Sequence, residues 1–219
     1  MERITDAFTW PVRDPEWATK LLVIALILLI PIVGSINGLG WMLASIDRLR
    51  AGEERLAPAN LTYLGRGVRL FVVEILYNVG IVAVSLLIFV PTLRLAVQQG
   101  QGSANPGLIS LAVLLYLIGF GVITVGSLAL TFATPAIVLA TDRGGIGGGM
   151  QLGAVIRRCR INLTNTVIAG LMLIAANFIG SLGVIACGVG VLVTTAYALA
   201  MQAWIIHSFE IGALPPASA

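Results

Sequence analysis

The sequence predicts an all-α integral membrane protein: a bundle of about five transmembrane helices with interfacial amphipathic helices. Two observations carry that prediction. Thr166 to Phe209 is a 44-residue stretch with no Asp, Glu, Lys or Arg, and one spanning helix needs only about 20 apolar residues. The whole chain is 58% hydrophobic and 11% charged, with a mean hydropathy of +0.99, whereas a soluble domain carries about 25% charged residues. Its 219 residues leave room for a single membrane domain over 1–219 and for no separate soluble one.

The elements follow in order. Phe8, Trp10 and Val12 alternate with Arg3, Asp6 and Arg13, a mixture suited to the headgroup layer. An interfacial helix is expected over Ile4 to Arg13. Asp14-Pro15-Glu16 reads as a helix start, Asp as the cap and Pro at the first position. The first span is expected over 21–46. Pro31 inside it removes a backbone donor and predicts a kink. Gly34 and Gly38 make a GxxxG pair that permits close helix approach.

Asp47 to Arg69 is a basic loop, and the second span is expected over 67–96. Gln98 to Gly107 is polar. The third span is expected over 108–141, with a bend at Pro135. Asp142 to Met150 is glycine-rich and reads as a hinge: it lacks the Gly-Lys-Ser/Thr ending of a phosphate loop and follows no strand. Leu152, Val155, Ile156 and Cys159 share one helical face with Arg157 and Arg158 opposite, which predicts an interfacial helix over Gly149 to Arg160. Spans over 165–182 and 187–209 complete the bundle. Ala176 with Gly180, and Ala186 with Gly190, are small-residue pairs at i, i+4 that let backbones touch.

Arginine sets the expected topology. Five Arg lie in the loop after span one and four after span three (Arg143, Arg157, Arg158, Arg160). Basic loops stay cytoplasmic, so the C-terminus is expected in the cytoplasm of an inner-membrane, multi-pass protein. Five crossings would leave Arg3, Arg13 and Lys20 outside. A hairpin that turns back near Gly34 to Gly38 would instead gather them with the other basic residues. Against it, Leu21 to Ile46 is about 39 Å of helix, short for two crossings.

Polar residues within the spans are few. Glu74, with Tyr77 and Asn78 at i+3 and i+4, shares one helical face, and an intramembrane carboxylate calls for a functional hypothesis. Glu74 is expected to pair with an Arg of a basic loop, such as Arg157 or Arg160. With Asn37 these four residues form a candidate intramembrane polar site. Arg48, Arg50, Arg66, Arg69, Arg157, Arg158 and Arg160 are expected to contact lipid headgroups. His207 reads as an interfacial hydrogen-bonding residue, and Asn177 as one that bonds between helices. With one His and no ligand cluster, no catalytic, metal or cofactor site is predicted. A net charge of +3 gives no reason to expect nucleic acid. Cys159 and Cys187 are expected to remain unbridged.

Phe8-Thr9-Trp10-Pro11-Val12-Arg13-Asp14-Pro15-Glu16-Trp17, then Lys20-Leu21-Leu22, Pro31-Ile32-Val33 and Arg48-Leu49-Arg50-Ala51-Gly52-Glu53, resemble the opening of a prokaryotic membrane family catalogued as domain of unknown function 4013. Gly40-Trp41 stands where that family usually has Gly-Tyr, and Leu56-Ala57-Pro58 carries one inserted residue. The resemblance covers the N-terminal third. It implies a multi-span prokaryotic membrane protein and no particular reaction. Two roles are therefore expected. One is a non-catalytic scaffold or accessory subunit packing against lipids, other membrane proteins or further copies of itself. The other is a small transporter or lipid-handling protein with its site at the broken first helix and Glu74.

Overall fold

The computed structural model of the chain describes residues 5–100, 105–185 and 189–212, and the regular structure among them is entirely helical. A short helix α1 (Asp6–Thr9) and a 3-10 turn (Trp10–Arg13) precede α2 (Trp17–Leu28), α3 (Pro31–Arg50), α4 (Leu64–Gly100), α5 (Pro106–Gly149), α6 (Leu152–Ile161), α7 (Leu163–Leu182) and α8 (Val189–Gly212). Among the described residues, four stretches are long and apolar enough to cross a membrane: Leu64–Val97, Pro106–Gly149, Leu163–Ile185 and Gly190–Gly212.

The continuous first span expected over Leu21 to Ile46 is instead two helices. Ile30 is extended (φ −91°, ψ 99°) and Pro31 opens α3 at its first turn. A residue before proline is pushed out of the helical region, and proline suits the start of a helix better than its middle. Pro31 therefore begins a helix here and does not kink one. The chain then doubles back. Lys20 Nζ donates to the Leu56 carbonyl (3.3 Å) and Leu56 N–H to Asp14 Oδ2 (2.9 Å). The start of α2 and the loop after α3 thus meet at one end of a hairpin. Gly34 makes the closure possible: a Cβ there would overlap the Ile27 carbonyl and Leu28 Cα of α2. With 12 residues, α2 is about 18 Å long, short of the ~30 Å hydrocarbon core.

The chain folds as two compact units, Met1–Val73 with Thr131–Ala219, and Glu74–Leu130. In the first, α8 packs against α2, α3 and α7. Ala176, Ala196 and Ala200 are fully buried. A Cβ on Gly180 would sit 3.2 Å from that of Ala198, and Thr194 donates to the Gly180 carbonyl (2.6 Å). Asn177 accepts from Gln202 across the α7–α8 seam (3.0 Å). Gly38 faces Leu199 and Leu28. Of the small residues expected at this seam, Ala186 lies outside the described residues; Gly190 meets Gly183 backbone to backbone. Close approach at such positions supplies the dispersion and hydrogen bonding that lipid leaves as the main cause of helix association.

The N-terminal segment packs against α8. Trp10 is fully buried, donates Nε1–H to the Ala200 carbonyl (3.1 Å) and stacks on Trp204 at 5.8 Å. Tyr197 donates to the Phe8 carbonyl. The glycine-rich stretch after Thr141, expected as a hinge, is helical on both sides of a break. Helix continues to Gly149, broken at Gly145 (φ 62°, ψ −158°), a conformation open chiefly to glycine. The helix expected over Gly149 to Arg160 is present as α6, over Leu152–Ile161, with Val155 buried.

The second unit consists of the remainder of α4 and the first part of α5. Phe89 meets Tyr116 edge-on at 5.6 Å. Gly119 faces the Phe89 ring and Gly126 faces Ile81. Its apolar side chains are otherwise largely exposed, among them Leu87, Leu93, Phe120 and Val125.

Candidate functional site

The charged residues of the first unit converge at one end of the helices. Arg50 donates through Nη1 to Asp47 Oδ1 and Asp142 Oδ2 (both 2.9 Å) and through Nε to Glu210 Oε2 (2.9 Å). Arg66 donates through Nε (3.1 Å) and Nη2 (2.7 Å) to Asp142 Oδ1, and it also bonds both oxygens of Asp47. Arg143 donates to Glu210. Three guanidiniums and three carboxylates from α3, α4, α5 and α8 form one neutral cluster. Asp142 and Glu210 are 7% and 12% exposed at their side chains, so the cluster is partly withdrawn from water. Burial pushes the Asp47 carboxyl up, but hydrogen bonds from Arg66 and Arg50 outweigh it and hold the group below the usual carboxylate range.

A second ionic centre seals the hairpin. Asp14 is 1% exposed. It accepts from Lys20 Nζ (2.7 Å), Glu16 N–H (2.9 Å) and Leu56 N–H (2.9 Å). Burial favours its neutral form; the Lys20 bond and the two backbone donors prevail and hold the pKa low. Asp14 is not the cap of α2, since Glu16 occupies that position without a side-chain bond. It joins the opening segment to the loop after α3. Nearby, Arg13 pairs with Glu54 (2.9 Å) and Asp6 (2.7 Å).

The expected site residues are distributed as follows. Asn37 is fully buried and donates Nδ2–H to the Asn60 carbonyl (2.8 Å). Glu74, Tyr77 and Asn78 belong to the other unit. Asn78 donates to the Glu74 carbonyl (2.8 Å). The Glu74 carboxyl makes no ion pair among the described residues; Arg157 and Arg160, its expected partners, belong to the first unit. Of the arginines expected to meet headgroups, Arg50 and Arg66 bind carboxylates of the chain itself, and Arg48 pairs with Glu53 (3.3 Å). Arg69, Arg157, Arg158 and Arg160 have no ion pair among the described residues. His207 has a buried Nδ1 without a partner among the described residues. Cys159 is free; Cys187 lies outside the described residues. No group of three His, Cys, Asp or Glu among the described residues could hold a metal ion.

Asp47, Asp142 and Glu210 were invisible as a set in the sequence. Only Asp47 and Arg50, three apart on α3, are neighbours along the chain; the other partners are 19 to 160 residues apart. The signal available was that Asp47 and Asp142 each directly precede an arginine at the end of an apolar helix, while Glu210 ends the charge-free stretch.

Helices of this length and composition, with charge gathered at helix ends, define a multi-span helical membrane protein. The chain belongs to a family described as protein of unknown function (DUF4013), whose model matches residues 23–189. The match thus runs far beyond the N-terminal third, and the opening motif Phe8 to Trp17 precedes it. No curated protein and no solved structure matches the chain.

Proposed function

We propose that this protein is a non-catalytic scaffold or accessory subunit of the prokaryotic inner membrane, docking to partner membrane proteins. The supporting observation is the contrast between its spans. The most apolar windows of α4 and α5 are only 11% and 6% buried, against 39% and 44% for the two C-terminal spans. Two long helices therefore offer most of their surface to lipid or partners, while the nearly buried carboxylates of the other unit, Asp14, Asp142 and Glu210, are ion-paired within the chain. Asn37, a candidate lining residue for transport, is closed off against Asn60. A photo-crosslinking residue at Leu87, which is 77% exposed, should capture a membrane protein in stoichiometric yield in native membranes. Recovery of an uncrosslinked monomer, with the chain purifying alone from mild detergent, would defeat the scaffold reading.

The same proposal places the segment before α2 and the end of α8 together in the cytoplasm. Four crossings and a hairpin that does not cross put Arg13, Lys20 and the basic loops on one side, as the positive-inside rule requires. The ties from Trp10 to Trp204 and from Arg50 to Glu210 fit this arrangement. The check is thiol labelling of intact cells with an impermeant reagent, on a chain with Cys159 and Cys187 replaced by Ala. Val12→Cys and Ile211→Cys should be protected and Ile185→Cys labelled. Labelling of Val12→Cys but not Ile211→Cys would restore five crossings.

A further inference from the structure

Leu43, Gly65, Arg66, Arg69, Thr141 and Asp142 line a cavity of about 200 Å³. That is several times the ~30 Å³ share of a water molecule, room for a tetrahedral anion with its first substituents. Most of the polar wall is already committed. The Arg66 donors go to Asp47 and Asp142. Asp142 accepts on both oxygens, from Arg66 and from Arg50. Thr141 donates to the Ile137 carbonyl (2.8 Å).

Arg69 is the exception. It has no ion pair among the described residues, and the neighbouring six-membered cluster is neutral, so its charge stands uncompensated at the cavity. Gly65, four residues earlier on α4, shares its face and belongs to the first turn, where N–H groups lack an intrahelical acceptor. Leu43 supplies an apolar wall. Arginine's planar fork matches a phosphate oxygen pair, and at the end of a spanning helix the abundant anion is the phosphate of a lipid headgroup.

We propose that this cavity binds a phosphate group, that of an anionic phospholipid, with Arg69 as the bidentate donor. The site stands apart from the scaffold reading and would hold equally in a transporter.

The test uses the full chain, delipidated in neutral detergent, with native mass spectrometry of phosphatidylglycerol retention and inorganic phosphate as competitor. Arg69→Gln should weaken retention about tenfold or more, the effect of losing a charged hydrogen-bonding partner. Arg69→Lys should fall between, keeping the charge without the fork. Arg94→Gln, which removes an arginine elsewhere, should match the wild type. Gly65→Leu, whose added Cβ meets no neighbouring atom, should reproduce the Arg69→Gln loss by filling the cavity. Competition by millimolar phosphate would assign the site to the free ion; its absence would assign it to the lipid. Equal losses in Arg69→Gln and Arg94→Gln would overturn the site, as would a wild type that retains neither probe.

Discussion

Replacing Arg50 with Met should destabilise the protein by about 2–3 kcal/mol. Breaking a buried ion pair by removing one partner costs about 3–5 kcal/mol, because the remaining charge is left uncompensated. Two features lower that figure here. Arg50 is 28% exposed at its side chain, so water shares its solvation. Arg66 still bonds Asp142, and Arg143 still bonds Glu210. What the substitution leaves is two nearly buried carboxylates with one cation each, and a helix α3 no longer tied to α5 and α8. The readout is the unfolding midpoint in detergent at fixed ionic strength. Arg50→Met combined with Glu210→Gln should recover part of the loss, since the second change removes one of the stranded charges; such non-additivity is the signature of a network. A loss below about 0.5 kcal/mol in the single variant would place the cluster with surface pairs of small energetic consequence, and α3 would then be held by apolar packing alone.

The sequence and the structure agree where hydropathy decides and part where long-range pairing decides. Thr166 to Phe209 is legible as two packed spans because absence of charge over that length has few physical readings. The small residues Ala176 and Gly180 lie at the seam with α8 because only small side chains let two backbones approach there. Pro31 was ambiguous. A kink and a helix start both use a proline with no N–H to offer, and local sequence does not say whether the preceding residue stays helical. The choice is made by Asp14, Lys20 and Leu56, which meet only after the chain has folded back. The charge count across loops was the sequence feature that favoured a hairpin there, since the topology proposed above would gather Arg13 and Lys20 with the other basic residues. The ion cluster was illegible for the same reason: an arginine near a membrane surface looks alike whether it reaches for a headgroup or for an acid more than 90 residues away, as Arg50 does for Asp142.

Gly34→Val should open the hairpin and lower stability by about 3 kcal/mol or more. The position is one of backbone contact. A Cβ would overlap the Ile27 carbonyl and lie 2.6 Å from Leu28 Cα, and neither atom belongs to a side chain that can turn aside. Overpacking against well-fixed neighbours costs about 1–3 kcal/mol even where side chains can adjust; here α2 and α3 must separate. Separation also strains what the hairpin brings together, the Lys20 and Asp14 bonds to Leu56 at its open end. A matched control isolates packing from helix propensity. Gly153→Ala lies in α6 with nothing within 4 Å of the added Cβ, and should be neutral or stabilise by up to about 1 kcal/mol, because alanine restricts the unfolded chain more than glycine does. Two measurements are needed: the unfolding midpoint of each variant, and the distance between spin labels at Thr19 and Pro58, which should lengthen in Gly34→Val alone. Should Gly34→Val keep both the midpoint and that distance, α2 and α3 are not in backbone contact. The first apolar run would then be a single crossing with a bend, and Arg13 and Lys20 would return to the far side of the membrane.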